Sequence, residues 1–466
     1  MPESAAPATF WAPHAWLAGG WQQGVLLRVG ADGHWSEVEP GVPLAPPGAA
    51  TLAGPVLPGL VNAHSHAFQR AFAGLAERRE SLADDFWSWR DRMYGVALRI
   101  TPSLLRAIAA QLDVELLCGG YTQVCEFHYL QHREDGQAYD DPAALAWALA
   151  DAADETGLGL TVLPVLYERA GFTQAALRSD QRRFATTAAS VDALYRTLVR
   201  ASRPRLNAGV AIHSLRAASP SAIDDLMRRL GADDVPIHIH VAEQTQEVDD
   251  CLAATGLRPI DWLCRHTNPD SRWQLVHATH ASAAEIEAVA SSGAGIVVCP
   301  STEGNLGDGL IDLPAWLSAG VPMALGSDSH VSRSWAEELR WLEYGQRLSR
   351  RKRNVSAAPE LGEPSTAARL FNEALRAGAR AAGQRSWGLE VGARADALVL
   401  NVDAPGLLGI SAQRSLDALV FAADAPAFRE VYVAGRRVVV DGKHIAETAV
   451  ARRFEAAMAE LCEQGQ

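Results

Sequence analysis

The sequence predicts an α/β protein, a (β/α)8 TIM-like barrel with a small β-sandwich domain built from both termini. Three observations support this fold. Short apolar segments rich in β-branched residues alternate with helical patterns along most of the chain. Polar residues collect where these segments end, and further β-like segments occur near both termini. An open, doubly wound sheet is the alternative fold with the same alternation.

Each apolar segment predicts one barrel strand, and the strands in order are 57–66, 121–128, 160–167, 207–213, 235–243, 273–277, 294–301 and 321–328. Ala-rich amphipathic stretches between them predict helices, among them 102–117, 142–155, 191–200 and 282–291. Parallel strands need such long crossover connections. The barrel is favoured over the open sheet because polar residues gather at the C-terminal strand ends, where barrel enzymes carry their catalytic groups.

The barrel is predicted to span residues 57–385. Residues 1–56 and 386–466 contain alternating segments with Gly turns, such as 395–400 and 430–440, and neither half can bury a face alone. We therefore expect them to pair into one composite β domain. Residues 67–100 are too long for an ordinary connection and predict an extended loop over the active site.

The composition excludes several classes of function. The chain has 466 residues, 48% hydrophobic and 21% charged, with a net charge of −13, which is typical of a soluble globular protein and disfavours nucleic-acid binding. Its six cysteines form no CxxC pair. No signal peptide and no apolar run of membrane-spanning length is visible, so we expect a cytoplasmic protein with no membrane partner.

A metal site is predicted from residues at three strand ends. In His64-Ser65-His66 the two imidazoles are spaced i and i+2, so on a strand they point to the same side. His240 and Asp328 end two other predicted strands. Three imidazoles and one carboxylate suit Zn²⁺ or another borderline divalent ion, and we predict one ion per chain. His238 is expected to be a packed residue behind His240.

These residues belong to motifs that resemble a known family. PGLVNAHSHAFQRAFAG, HIHVAEQ, LVHATH and GSDSH are similar to successive strand-end motifs of the amidohydrolase superfamily, in its mononuclear deaminase branch. The absence of a Lys near any predicted strand end argues against a two-metal centre. Longer segments, including HSHAFQRAFAGL, HSLRA and STEGNLGDG, resemble the formimidoylglutamate deiminases of histidine degradation.

The resemblance implies hydrolysis of N-formimidoyl-L-glutamate to N-formyl-L-glutamate and ammonia by a homodimer. Asp328 would accept a proton from a metal-activated water, Glu243 would move protons to the leaving nitrogen, and His277 would orient the nucleophile. Each has a plainer alternative: a first-turn helix carboxylate for Glu243, a core histidine for His277, and a turn residue for Asp328.

The two substrate carboxylates call for cationic and hydroxyl donors. Arg216, three residues after His213 in HSLRA, is the best candidate for a carboxylate fork. By resemblance Gln69, Tyr129 and His213 also contact substrate, and Arg90 reaches a neighbouring subunit's site. Arg90 could equally be a surface residue.

Gly304 and Arg333 depart from the family pattern, which leaves the substrate details open. Two other functions remain as alternatives. A nucleobase or other aromatic aminohydrolase of the same superfamily would use stacking and amide groups instead of cationic forks. A scaffold protein without catalysis would have lost ligands, yet all of them are present.

Overall fold

The computed structural model describes residues 8–75, 77 and 86–463. Within them, eight parallel strands follow one another around a barrel in sequence order. We number them barrel strands 1 to 8: Leu60–Ser65, Tyr121–His128, Gly159–Leu166, Val210–Ile212, Ile237–Val241, Trp273–His277, Gly295–Val298 and Met323–Leu325. A short strand, Leu206–Ala208, also pairs with barrel strand 3. Every residue of barrel strands 1 to 8 is buried, because side chains fill the interior and helices cover the outside.

The barrel closes between its first and last strands. Ser65 forms a parallel bridge with Asp328. The Asp328 amide donates to the His64 carbonyl at 3.0 Å, and the His66 amide donates to the Asp328 carbonyl at 3.3 Å. Gly326 permits this approach, since a Cβ atom there would lie 2.7 Å from the His64 Cβ. The predicted barrel is thus confirmed, and the doubly wound open sheet is excluded.

Helices connect and surround the strands, and several begin at the expected capping signals. Ser282 accepts from the Glu285 amide while the Glu285 side chain accepts from the Ser282 amide, a capping box at the start of Ala283–Ser292. The α-helices through residue 381 are Phe86–Ala97, Pro102–Cys118, Ala144–Thr156, Ala188–Arg200, Pro220–Leu230, Thr245–Thr255, Pro259–Thr267, Ala283–Ser292, Pro300–Leu306, Leu313–Ser318, Trp335–Arg350 and Thr366–Ala381. Short 3-10 helices span Ala67–Phe72, Ser179–Phe184 and Pro359–Leu361.

Strands from both ends of the chain form a second sheet, as predicted. In the described residues it has nine strands. Its N-terminal strands are Thr9–Leu17, Gly20–Val29, Trp35–Glu39, Ala50–Thr51 and Val56–Leu57, and its C-terminal strands are Ala397–Leu400, Phe428–Val433, Arg436–Val440 and Lys443–His444. The two halves meet where Val56–Leu57 pairs antiparallel with Ala397–Leu400. The sheet has its own apolar core, which includes Leu27 and Trp35.

Two further helices, Ala412–Phe421 and Glu447–Glu463, lie in the C-terminal part of the chain. The second packs against the barrel helix Pro102–Cys118, and Arg99 donates to the Leu461 carbonyl at 2.7 Å. Residues 386–466 therefore do more than complete the terminal sheet. None of the described helices combines the length and the apolarity that crossing a bilayer requires.

The described parts of the long connection after barrel strand 1 line a cavity at the C-terminal end of the barrel, as predicted. It contains the 3-10 helix Ala67–Phe72 and the α-helix Phe86–Ala97, which the sequence analysis did not predict. Residues 76 and 78–85 of this connection lie outside the described part. Tyr94 packs against Phe184 with a ring separation of 5.1 Å, which joins this helix to the 3-10 helix Ser179–Phe184.

Candidate active site

His64, on barrel strand 1, and His66, directly after it, present ring nitrogen atoms to the barrel interior. The His66 Nδ1 atom lies 3.1 Å from the carbonyl oxygen of Phe127 on barrel strand 2. Because that carbonyl can only accept, it fixes the proton on Nδ1 and leaves Nε2 available as a ligand atom. By contrast, His238 directs its Nε2 atom at the Ala381 carbonyl, 2.8 Å away, which fits a packed residue.

The predicted metal ligands form one connected cluster of donor atoms. The Nε2 atoms of His64 and His240 are 2.9 Å apart. The Oδ1 atom of Asp328 lies 3.5 Å from Nε2 of His64 and 3.4 Å from Nε2 of His66. Since Zn–N and Zn–O bonds are about 2.0 to 2.2 Å long, donors separated by less than about 4.2 Å can share one ion. His64 also belongs to a compact donor group with His240 and His277.

The protonation states of these groups suit a cation. Burial lowers the pKa of His64 to about 3, and burial likewise lowers the pKa values of His66 and His240. The three imidazoles are therefore neutral near pH 7 and have lone pairs to donate. Burial opposes ionisation of Asp328, but the surrounding histidines hold its pKa below the ordinary value. Neutral imidazoles with one carboxylate are a fitting site for a divalent ion.

Glu243 faces the barrel interior rather than the next helix. That helix, Thr245–Thr255, has Gln244 as its N-cap, and its first-turn carboxylate is Glu247. The Glu247 side chain accepts from the amides of Ala242 and Glu243 at 3.3 and 3.1 Å. This fixes the turn and leaves the Glu243 carboxylate 3.7 Å from Nε2 of His277. Burial raises the pKa of Glu243 to about 7, which is suited to proton transfer near neutral pH.

His277 lies between three carboxylates. Its Nε2 atom is 3.7 Å from Glu243 and 3.8 Å from Asp328, and its Nδ1 atom is 3.5 Å from Glu303. Burial alone would lower the pKa of His277, but these acidic groups outweigh it and raise the pKa to about 10. An imidazolium ion here can stabilise negative charge that develops on a substrate. The surroundings of His277 thus differ from those of an ordinary core histidine.

Strained backbone accompanies these strand ends. Ala242, His277, Ala278 and Asp328 adopt left-handed conformations with φ of 54°, 69°, 50° and 46°. Non-glycine residues seldom take such values, and where they do the surrounding structure must hold them there. At each of the three strand ends the chain turns sharply. Asp328 is therefore a turn residue and also a member of the donor cluster.

A small cavity opens above the donor cluster. Ten of the eleven predicted site residues line it: His66, Gln69, Arg90, Tyr129, His213, Arg216, His240, Glu243, His277 and Asp328. The exception, His64, is fully buried behind them. The sequence analysis missed the apolar part of the wall: Phe86, Trp89, Met93, Tyr94 and Leu306. Four of these five come from the helix Phe86–Ala97, whose pattern alone gives no sign of a cavity.

Two arginines bring positive charge to this cavity. The Cζ atoms of Arg90 and Arg216 lie 4.5 and 5.3 Å from the centre of the Trp87 ring. Arg90 has its closest described acid, Asp91, at 3.6 Å, and its buried Nε has no hydrogen-bond partner among the described residues. Among the described residues, no carboxylate lies within 4.0 Å of the Arg216 guanidinium group. In this chain Arg90 lines the same cavity as Arg216.

The remaining predicted contacts, Gln69, Tyr129 and His213, line the same cavity. The Gln69 amide donates to the Tyr129 hydroxyl at 3.4 Å, and the Gln69 Oε1 atom is buried without a partner in the described residues. The ring of His213 lies 5.1 Å from that of His240. Burial lowers the pKa of His213, and the charge of Arg216 lowers it further. His213 is therefore a neutral group next to the donor cluster.

The two residues that depart from the family pattern, Gly304 and Arg333, lie outside the donor cluster. Arg333 pairs with Glu115 at 3.2 Å and donates to the His330 carbonyl at 2.8 Å, and it does not line the described cavity. Gly304 lies in the helix Pro300–Leu306, where a Cβ atom would touch Trp341 at 3.7 Å. Neither position contacts the donor cluster. Glu303, the neighbour of Gly304 in the motif STEGNLGDG, does approach the site, because its carboxylate lies close to His277.

Comparisons with known proteins agree with this geometry. Residues 56–438 match the profile of the amidohydrolase family. The chain belongs to this family. Among the curated members, a formimidoylglutamate deiminase from Pseudomonas aeruginosa is 45% identical over 97% of this chain and 99% of its own length. An 8-oxoguanine deaminase from the same organism is 30% identical over 83% of this chain and 82% of its own length.

A solved amidohydrolase structure from Brucella melitensis is 41% identical and superposes with a TM-score of 0.92, covering 98% of this chain and all of that one. The family resemblance predicted from the strand-end motifs is thereby confirmed. Amidohydrolases are hydrolytic enzymes, and the match spans the whole barrel together with both halves of the terminal sheet. The purine deaminase relative is the more distant of the two curated proteins, which disfavours the nucleobase alternative.

Proposed function

We propose that this chain hydrolyses N-formimidoyl-L-glutamate to N-formyl-L-glutamate and ammonia. The observation that carries this proposal is the pairing, in one cavity, of a His/Asp donor cluster with two arginine side chains. The cluster supplies the chemistry common to the family, and the arginines match a ligand with two carboxylates. The 45% identical formimidoylglutamate deiminase supports the same substrate.

His64, His66, His240 and Asp328 would hold a divalent ion, which would supply the Lewis acidity that makes water a nucleophile at neutral pH. We propose Zn²⁺, one per chain, because three imidazoles and a carboxylate are ligands that zinc prefers. His64 and His240 approach each other from opposite sides of the barrel with their Nε2 atoms 2.9 Å apart, which fits a shared ion.

The chain's own residues move the protons. Both protons of the attacking water end on the terminal nitrogen of the formimidoyl group: Asp328 accepts the first, and Glu243 carries protons to that nitrogen. The bond between the formimidoyl carbon and the terminal nitrogen then breaks, the nitrogen leaves as ammonia, and the water oxygen remains as the formyl oxygen. His277 donates to the reacting centre and stabilises its negative charge. The Glu303 carboxylate lies 3.5 Å from Nδ1 of His277 and helps to hold the imidazole ring in place. The formyl group stays on the amino acid.

Substrate orientation follows from the position of the arginines. The carboxylates of the substrate bind to Arg216 and Arg90, while Tyr129, Gln69 and His213 donate or accept at the wall between them and the cluster. The formimidoyl carbon then points toward Glu243 and Asp328. Positioning of this kind accounts for much of the rate enhancement in enzymes.

Ammonia release tests the substrate assignment. Purified protein of measured metal content is given formimidoylglutamate, formimidoylaspartate and guanine side by side. We expect ammonia from formimidoylglutamate, less from the shorter aspartate analogue because its carboxylates lie closer together, and none from guanine. Release from guanine alone would instead support the aromatic aminohydrolase.

We also propose that the protein acts in the cytoplasm as a homodimer. Because Arg90 lines the cavity of its own chain, mixing Arg90→Ala chains with metal-deficient His240→Ala chains should restore no activity. Recovery by subunit exchange would show that Arg90 serves the neighbouring site, as the family resemblance implies. Sedimentation of the unmixed protein gives its oligomeric state.

A further inference from the structure

One indole ring joins the two cationic side chains of the cavity. Trp87 lies at the start of the helix Phe86–Ala97, and Arg90 follows it by almost one helical turn. Arg216 comes from a distant part of the chain, after barrel strand 4. Both guanidinium groups nevertheless lie over the Trp87 ring, at 4.5 and 5.3 Å from its centre. These distances are within the range of cation–π attraction.

The cavity must hold two like charges in a partly desolvated space. Only 12% of the Arg90 side chain is exposed. Both arginines act electrostatically on His213. Burial is the largest cause of the lowered pKa of His213, and the positive charges of Arg216 and Arg90 lower it further. Two cations near each other repel, and the repulsion is least screened where water is excluded. An aromatic face attracts both cations without neutralising either of them.

The lining of the cavity shows how Trp87 can act. Phe86, Trp89, Arg90 and Arg216 line it, whereas Trp87 is not among its described lining residues. A carboxylate placed beside the arginines would neutralise them, but a ring leaves their hydrogen-bond donors free for a ligand. Trp87 therefore fits a role behind the arginines rather than in contact with the ligand.

We propose that Trp87 is a positioning residue that holds Arg90 and Arg216 at the spacing required for the two carboxylates of one ligand. This inference rests on the proposed function for the identity of that ligand. Without the ring, the guanidinium groups would separate, and a dicarboxylate would bind to one of them at a time. The carboxylates are held alike before and during the reaction, so the loss should appear in KM and not in kcat.

Binding and kinetics test this role together. Calorimetry with N-formyl-L-glutamate and with glutarate, a bare dicarboxylate, needs no turnover. For Trp87→Leu we expect about 5- to 30-fold weaker binding of both, with a similar rise in KM and kcat within about twofold. Trp87→Phe keeps an aromatic face and should stay within about threefold of the parent protein. Trp341→Leu, which removes a half-exposed tryptophan elsewhere, is the control and should change nothing.

A double-mutant cycle decides whether Trp87 acts through Arg216. In the Arg216→Met background, Trp87→Leu should cost much less than it does in the parent. An equal loss in both backgrounds, or unchanged binding in Trp87→Leu, would overturn the proposal. Melting temperature and metal content monitor the fold, and Trp87→Met repeats the test if the leucine variant does not fold.

Wild-type protein that binds neither dicarboxylate also overturns the inference. Protein that binds both but releases no ammonia from formimidoylglutamate contradicts the proposed function instead. In that case the Trp87 variants still decide the positioning role through their binding constants alone.

Discussion

The donor cluster and the arginine wall of the cavity are built in different ways. His64 and His240 lie on barrel strands, His66 directly follows barrel strand 1, and backbone hydrogen bonds between neighbouring segments fix their spacing. The arginine wall depends on Arg90, from a helix in a long connection, and on Arg216, from a loop. The barrel strands therefore determine the type of reaction, whereas the connecting segments determine the choice of substrate.

Removing the metal should have the largest effect. Chelation should abolish ammonia release, and one equivalent of Zn²⁺ per chain should restore it, because the donor cluster has no other source of Lewis acidity. Elemental analysis of the active protein checks the number of ions. Two tightly bound ions per chain would contradict the mononuclear site.

Glu243→Gln should come next in size. It keeps the shape of the side chain and removes the carboxyl group that transfers protons to the leaving nitrogen, so kcat should fall by about 10²- to 10⁴-fold while metal content stays normal. Glu247→Gln is the matched control, since Glu247 accepts from the backbone of the same turn and does not line the described cavity. Similar losses for both variants would mean that Glu243 acts only through the fold of that turn.

Arg216→Met removes one arginine of the substrate-binding wall and leaves the donor cluster intact. Loss of one partner of a desolvated charge pair costs about 2 to 5 kcal/mol, which corresponds to a fall in kcat/KM of about 30-fold to several thousand-fold. Metal content should not change. Arg333→Met is a suitable control, because Arg333 pairs with Glu115 outside the cavity and should leave kcat/KM within about twofold. Unchanged kcat/KM in Arg216→Met would show that the carboxylates bind elsewhere.

Tyr129→Phe should have the smallest effect. It removes one hydroxyl, whose net contribution is about 0.5 to 1.5 kcal/mol, or about 2- to 10-fold in kcat/KM. The aromatic ring stays packed against Phe68 and Phe184, so stability should change little. If kcat/KM fell further in Tyr129→Phe than in Arg216→Met under the same conditions, the Tyr129 hydroxyl and not Arg216 would be the main substrate contact, which would contradict this account.

Regular spacing explains why the barrel and the donor cluster could be predicted from the sequence. A parallel strand buried on both faces is a continuous apolar run, and its polar end marks the active-site edge. Thus His64, His66 and His240 could be assigned from their positions at strand ends. Asp328 could be assigned in the same way, although its left-handed backbone was not foreseen.

The parts that could not be predicted depend on contacts between distant segments. Glu303 follows barrel strand 7 and reaches His277 only because the helix Pro300–Leu306 turns back over the barrel. Trp87 contacts Arg216, 129 positions later in the chain, and no local pattern encodes that contact. Helix periodicity identifies a buried face but does not indicate whether that face covers a core or a ligand.

The most direct test of the proposed reaction is the identity of its products. Nuclear magnetic resonance of a complete reaction with formimidoylglutamate should show N-formylglutamate with one equivalent of ammonia, because Glu243 lies where it can protonate the terminal nitrogen as that nitrogen leaves. Formamide and glutamate as the main products would mean that the other C–N bond breaks, and would contradict the deiminase assignment while leaving the metal site intact.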